Sequence, residues 1–415
     1  MSTPIFKGFL FSLIPLIYYL LDLLNYSQAG KAGLLGFFIV TALFYWKSMF
    51  PKWNRVLPAV IVISVILLLA FVSFQAGLRD IFGVQQDNVV VVESLFNTTQ
   101  SESAEFLVQY RHQIIKHAAL LVLSLGIFFY LAFKFQHVKK GKGFYVGFAV
   151  FTFLAVAIHL NPSMYRSNPL FYFPVYYGKW VGELESTRKI TAQMLNQVPK
   201  DLSTMKSIDS EEQRTVVWVI GESDVRHNWG LYGYERDTTP ELDKHKEDLV
   251  IFKNIRSADA STVASVTKML TPASLEEPNL WHSSPDVLSI AKYAGYKVFW
   301  LTNQGTDRRG VLSIFASHAD ETVFTNKGTS RGEGTFDEAL FEPYEKALND
   351  SAPKKLIIVH TMGSHPAYNF RYPKEYAHFN GRDDGITKAL KDQGRKNYAI
   401  SFRNQYDNAV LYQDF

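Results

Sequence analysis

Long apolar runs in the first 160 residues constrain this chain more than any other feature. Five of them approach the about 20 residues that a helix needs to cross a bilayer: Phe6–Leu24, Ala32–Trp46, Val56–Phe74, His117–Phe135 and Gly143–Leu160. The second is the shortest. The first begins where a cleaved signal would sit, but no small-residue cleavage site follows it and four more runs do, so it reads as a retained anchor. Basic residues set the orientation. Lys47, Lys52 and Arg55 follow the second run, and Lys134, Lys139, Lys140 and Lys142 precede the fifth. Both loops are therefore expected in the cytoplasm. An odd number of spans then places everything after Leu160 outside, which for a bacterial inner membrane is the periplasm.

The boundaries follow from that reading. Residues 1–160 form a transmembrane domain with an outer loop at 75–116. Residues 161–214 form a bridge. It opens on the breaker-rich Asn161–Pro169 stretch and continues with Phe171, Tyr172, Phe173, Tyr176, Tyr177 and Trp180, which suit a headgroup belt. A helix is expected at Val181–Leu195, then a polar linker from Pro199 to Arg214.

From residue 215 to 415, short β-branched runs alternate with helical patterns, which predicts an α/β domain with a mostly parallel sheet. Strands are expected at Val216–Ile220, Leu249–Phe252, Lys297–Leu301, Thr322–Phe324 and Lys355–His360. Helices are expected at Val263–Leu270, Asp286–Ala294, Phe336–Leu348 and Asn404–Leu411, with turns at Gly295 and Gly332–Gly334. The net charge of +4 is too small to argue for nucleic acid, and the lack of cysteine excludes disulfides and thiolate metal sites.

Two stretches of this domain carry candidate chemistry. Val216–Ile220 reads as a buried strand, and Gly221 ends it so that Glu222 and Ser223 stand at its carboxyl end, the ligand-binding edge of open α/β sheets. A carboxylate there can hold a divalent cation. Farther on, Ser261 and Thr262 open the run Val263–Leu270, where free N–H groups favour an anion; the plainer alternative is that they are helix caps. The second stretch is Leu356–His365, a strand that delivers His360 and His365 to its carboxyl edge.

Gly221-Glu222-Ser223, the NWGLYGYERDTTPEL segment, the Ser/Thr turn before SVTKMLT, and HTMGSH through Tyr372-Pro373 together resemble the phosphoethanolamine transferases of Gram-negative envelopes. These are membrane enzymes with a periplasmic domain of alkaline-phosphatase/sulfatase type. The resemblance implies the following roles. Glu222 binds zinc. Thr262 binds it too and is the nucleophile that becomes phosphorylated, with Ser261 a close rival. His365 approaches the transferred phosphate or a second zinc, and His360 is structural. Ser94, Thr98 and Glu102, spaced i,i+4, line the lipid-donor site, although Ser94 stands where the family has Asn; the plainer alternative is a solvated face of an interfacial helix. Trp300–Gln304 and Thr335–Leu340 resemble lesser family segments, with Asp337 a possible helix cap. Arg226, His227, Asn228 and Arg236 lie near Glu222 in sequence and suit structural or solvated roles better than phosphate contact.

The implied reaction takes phosphoethanolamine from phosphatidylethanolamine to lipid A, a core sugar or a periplasmic glucan. The sequence ends within the Tyr-Asp-Asn-Ala helix pattern at 406–409, before the family's Ser-Asp-His-Gly-Glu motif, whose Asp and His complete the zinc site. The α/β domain is accordingly expected to be incomplete and the chain a fragment of a longer protein, with an inactive product as the alternative. Two further readings stand beside the transferase: a related phosphoglycerol transferase or hydrolase, and a non-catalytic membrane protein that binds lipid headgroups or a partner enzyme.

Overall fold

The computed structural model describes residues 4–53, 56–82, 100–133, 140–172, 177–178, 212–304, 311–326, 335–381, 384–395 and 397–415. The expectations at Ser94, Thr98, Val181–Leu195 and Gly332–Gly334, and the side chain of Glu102, lie outside the described residues. The chain divides into two compact units: Met1–Leu95 with Tyr110–Glu185, and Phe96–Gln109 with Ser186–Phe415.

The first unit is helical. Its helices are α1 (Pro4–Ser12), α2 (Ile14–Leu20), α3 (Tyr26–Met49) and α4 (Val56–Phe82); after α5 (Gln100–Gln109), which belongs to the second unit, come α6 (Arg111–Phe133) and α7 (Lys142–Ala157). Among the described residues, four stretches are long and apolar enough to cross a membrane: Tyr26–Met49, Ala59–Ile81, Arg111–Tyr130 and Lys142–Leu160. The expected first run differs from the other four. Pro4–Leu20 is apolar but shorter, and it is broken between α1 and α2. Pro15 explains the break, because its ring displaces the carbonyl of Phe11 and it donates no N–H. Conversely, the shortest expected run extends to 24 residues, started by an Asn25 capping box with Gln28. Small residues let the helices approach: a Cβ at Gly8 would lie 1.9 Å from Thr41 Oγ1, and one at Gly147 2.4 Å from Tyr45 Oη.

The second unit is built on a four-stranded sheet, β1 (Arg214–Ile220), β2 (Lys297–Thr302), β3 (Glu321–Phe324) and β4 (Lys354–His360), in the order β1-β4-β2-β3. All pairings are parallel. Side chains alternate across it. Val298, Trp300, Leu356 and Ile358 pack on one face with Val266, Leu270 and Phe315, from helices α8 (Thr262–Leu270) and α10 (Val311–Ser317), and with Leu288 from α9 (Val287–Tyr293). Phe299, Leu301, Ile357 and Val359 pack on the other with Leu340 and with Ala347 of α11 (Phe341–Leu348). Helix α12 (Asn397–Asp414) closes the described chain.

Two strand expectations fail. β1 is not buried: Val216 is 39% and Val219 61% exposed, because β1 pairs only with β4 among the described residues. Residues 249–252 form no strand, and Val250 is 82% exposed. An apolar run becomes a strand only where another strand accepts its hydrogen bonds, and among the described residues none does so here.

Candidate active site

Register brings the informative residues together. Ile220 of β1 and Thr302 of β2 both pair with His360 of β4, so three strands end side by side. The backbone stays linked past the sheet, with Thr361 N donating to Ile220 O at 3.1 Å and Asn303 N to His360 O at 2.9 Å.

Glu222 is buried at this edge. Its Oε1 accepts from Ser223 Oγ at 2.8 Å, and its Oε2 accepts from Thr262 Oγ1 at 2.8 Å. Thr262 is the first residue of α8, and Ser261 precedes it with no side-chain cap bond. The simple capping alternative therefore does not describe the two hydroxyls, and Thr262 is the one hydrogen-bonded to Glu222. The approach to α8 is held by Asp259, whose carboxylate accepts from Lys268 Nζ at 2.7 Å and from Ala260 N at 2.7 Å. The Lys268 hydrogen bond keeps the Asp259 carboxyl below its usual range. Sequence reading missed Lys268, whose only signal was its position two turns into a helix that opens on an acidic turn.

The turn after β1 is strained, with Ser223 in the left-handed region at φ 58°. Neighbours hold it there. Ser364 N donates to Glu222 O at 3.1 Å, Ser364 Oγ donates to Ser223 O at 3.1 Å, and Tyr406 Oη donates to Ser223 O at 3.0 Å while accepting from Val225 N at 2.9 Å. Desolvation pushes the Asp224 carboxyl up to about 7 against its bond from Ser364 Oγ, with Glu222 and Asp337 adding like charge. Gly363 lies against the same turn at φ 55°, and a Cβ there would sit 2.6 Å from Glu222 O and 3.0 Å from Glu222 N. Gly363→Ala is therefore expected to cost about 1–3 kcal/mol in backbone strain, lowering the thermal midpoint by roughly 2–10 °C. An unchanged midpoint in a thermal melt would show that the loop relaxes freely.

The histidines differ. His360 is buried beneath Trp300, with ring centroids 6.2 Å apart. Burial pushes its imidazole down to about 4 despite the Glu222 carboxylate. His365 is half-buried, follows Ser364, and its Nδ1 has no hydrogen-bond partner among the described residues.

Supporting residues come from segments that looked minor in sequence. Asp337 does not cap its own helical turn. Its carboxylate accepts from Met362 N and Gly363 N, both at 2.8 Å, and thereby fixes the loop between His360 and His365. Asn303 Nδ2 donates to Asp337 at 2.9 Å, and Gln304 Nε2 to Thr361 O at 2.6 Å. Arg236 is buried and donates to Asp384, Asp407, Thr387 and Asn404, while Asn228 donates to Asp407 at 2.9 Å. Arg226 and His227 are exposed.

Zinc takes three or four protein ligands. Glu222 and Thr262 fit as two of them: a carboxylate and a hydroxyl oxygen converge to 2.8 Å at a strand end. No group of three or more His, Cys, Asp or Glu side chains completes a metal site among the described residues.

The model of the Sulfatase family matches residues 214–415, the stretch that carries this parallel sheet and the Glu222–Thr262 contact at its carboxyl edge. The chain's similarity extends to phosphoethanolamine transferase EptC of Escherichia coli K12, at 32% identity over 388 residues, 88% of this chain and 65% of that one. The chain thus spans just under two thirds of that relative's length. Among solved structures, the integral membrane phosphoethanolamine transferase EptA of Neisseria meningitidis shares the fold with a TM-score of 0.62 at 20% identity, covering 100% of this chain and 78% of that one. The periplasmic domain of Escherichia coli EptC in complex with Zn is 37% identical over 50% of this chain and 58% of that one, with a TM-score of 0.48.

Proposed function

We propose that the whole protein transfers phosphoethanolamine from phosphatidylethanolamine to an envelope glycolipid or glycan, and that Thr262 carries the group in between. The observation that supports this best is the 2.8 Å hydrogen bond from Thr262 Oγ1 to Glu222 Oε2 at the start of a nine-residue helix. Glu222 orients the hydroxyl so that an oxygen lone pair faces the incoming phosphorus. The free N–H groups of the first turn of α8 receive the phosphate oxygens. Thr262 Oγ1 bonds to phosphorus as diacylglycerol leaves, and an acceptor oxygen on lipid A, a core sugar or a glucan then releases the threonine. Zinc, held by Glu222 and Thr262 together with further ligands, would lower the pKa of the hydroxyl when bound, and His365 would contact the phosphate or a second ion. Ser94, Thr98 and Glu102 receive the ethanolamine headgroup. The apolar helices hold the protein in the bacterial inner membrane, with the second unit in the periplasm, and keep lipid donor and lipid acceptor close to the site.

A binding or scaffold role is the second reading, favoured by the lack of a third metal-binding side chain among the described residues. One experiment separates them. Full-length protein is purified, its zinc measured, and the Thr262 peptide weighed after incubation with phosphatidylethanolamine. Bound zinc and a phosphoethanolamine adduct on Thr262 are expected; metal-free protein with unmodified Thr262 would favour the scaffold.

A further inference from the structure

We propose that Glu105 and Arg371 form a positioning pair that makes the placement of His365 depend on the docking of helix α5. The inference rests on the transfer reading for its meaning, and on geometry for its content. Helix α5 lies in sequence between two apolar helices, yet residues 96–109 belong to the second unit. Glu105 is the α5 side chain that pairs with Arg371, through Glu105 Oε2 and Arg371 Nη2. Both side chains are nearly buried, at 14% and 5% exposure, so the pair is shielded from solvent and is not a screened surface contact.

The same guanidinium holds the histidine loop. Arg371 Nε donates to His365 O at 3.1 Å, and Arg371 Nη2 to Pro366 O at 3.0 Å. Those carbonyls flank a bend that needs restraint: Pro366 has no N–H to donate, and Ala367 sits in the left-handed region at φ 72°. A planar guanidinium grips two carbonyls in a fixed orientation only if its own plane is fixed, and the Glu105 carboxylate does that. Lysine has no such plane. His365 Nδ1 is buried and has no hydrogen-bond partner among the described residues, so the imidazole takes its aim from the backbone that Arg371 secures. Helix α5 also contains Glu102 in its backbone, so the pair links the segment assigned to the donor headgroup with the residue assigned to the phosphate.

The test uses full-length protein in detergent and reads hydrogen–deuterium exchange beside turnover of a soluble phosphoethanolamine diester. Glu105→Gln is expected to raise exchange in peptides covering 361–373, although Glu105 is 266 residues from Arg371 in sequence, and leave the β2 and β4 peptides protected. Its kcat is expected to fall about tenfold or more, as for a misplaced catalytic group. Arg371→Lys should raise exchange in 100–109 reciprocally, because it removes the same pairing from the other side. Glu105→Asp repeats the comparison in a milder form if the glutamine variant loosens the whole unit. Wild-type exchange at 361–373 in both Glu105 variants would overturn the proposal. Wild-type protein that places no phosphoethanolamine on Thr262 would overturn the transfer reading instead, with the exchange result unaffected.

Discussion

Thr262→Ala is expected to lower phosphoethanolamine transfer by at least about a thousandfold while leaving the fold intact, as loss of a covalent nucleophile does. The structural cost is small. Alanine is a better helix former than threonine, and the lost bond to Glu222 is worth about 1 kcal/mol. Thr262→Ser keeps a hydroxyl on the same backbone position and should retain measurable transfer. Ser261→Ala is the control, because that side chain does not cap α8 and Thr262 is the hydroxyl bonded to Glu222. Transfer rates and the mass of the Thr262 peptide settle the matter together. A Ser261→Ala variant as dead as Thr262→Ala would move the nucleophile by one residue.

The largest stability effect is expected at Arg236. Arg236→Met leaves the fully buried Asp407 without its nearest cation, which lies 2.6 Å away. Breaking a buried pair from one side costs about 3–5 kcal/mol, because the remaining charge is desolvated and unpaired. Desolvation already raises the Asp407 pKa, so its carboxylate depends on Arg236 and on the bond from Tyr234 Oη at 2.7 Å. Adding Asp407→Asn to Arg236→Met should recover part of the loss, since both charges are then gone. The exposed pair Lys244–Glu241 provides the contrast, and Lys244→Met should change stability by less than about 1 kcal/mol. Urea titration of the purified protein measures all of these. Equal midpoints for wild type and Arg236→Met would show that water or another residue replaces the cation.

What the sequence made legible follows from how local each signal is. The strand at 354–360 and the glutamate after 214–220 were readable because a β-branched run and its terminating residues sit next to each other. The exposure of β1 was not readable, since a valine-rich strand has the same sequence at the edge of a sheet as at its centre. Pro15 was in plain view, but hydropathy averages over a single proline and so merged α1 with α2. Asp337 was misread because its partners, the amides of Met362 and Gly363, are brought to it by tertiary packing. The pairing of Glu105 with Arg371 lies further still from any sequence signal.

The Tyr-Asp-Asn pattern of α12 has a consequence for how the site comes into being. Tyr406 holds the turn after Glu222, Asp407 holds Asn228, Tyr234 and Arg236, and Asn408 holds both backbone groups of Phe379. The first of these bonds spans 183 residues. A chain made from its amino end therefore contains Glu222 and Thr262 long before it contains the helix that shapes the turn after Glu222. Long-range closure of this kind is slow relative to local folding. During that interval the nascent segment holds Glu222 and Thr262 but not the helix that fixes the turn after Glu222.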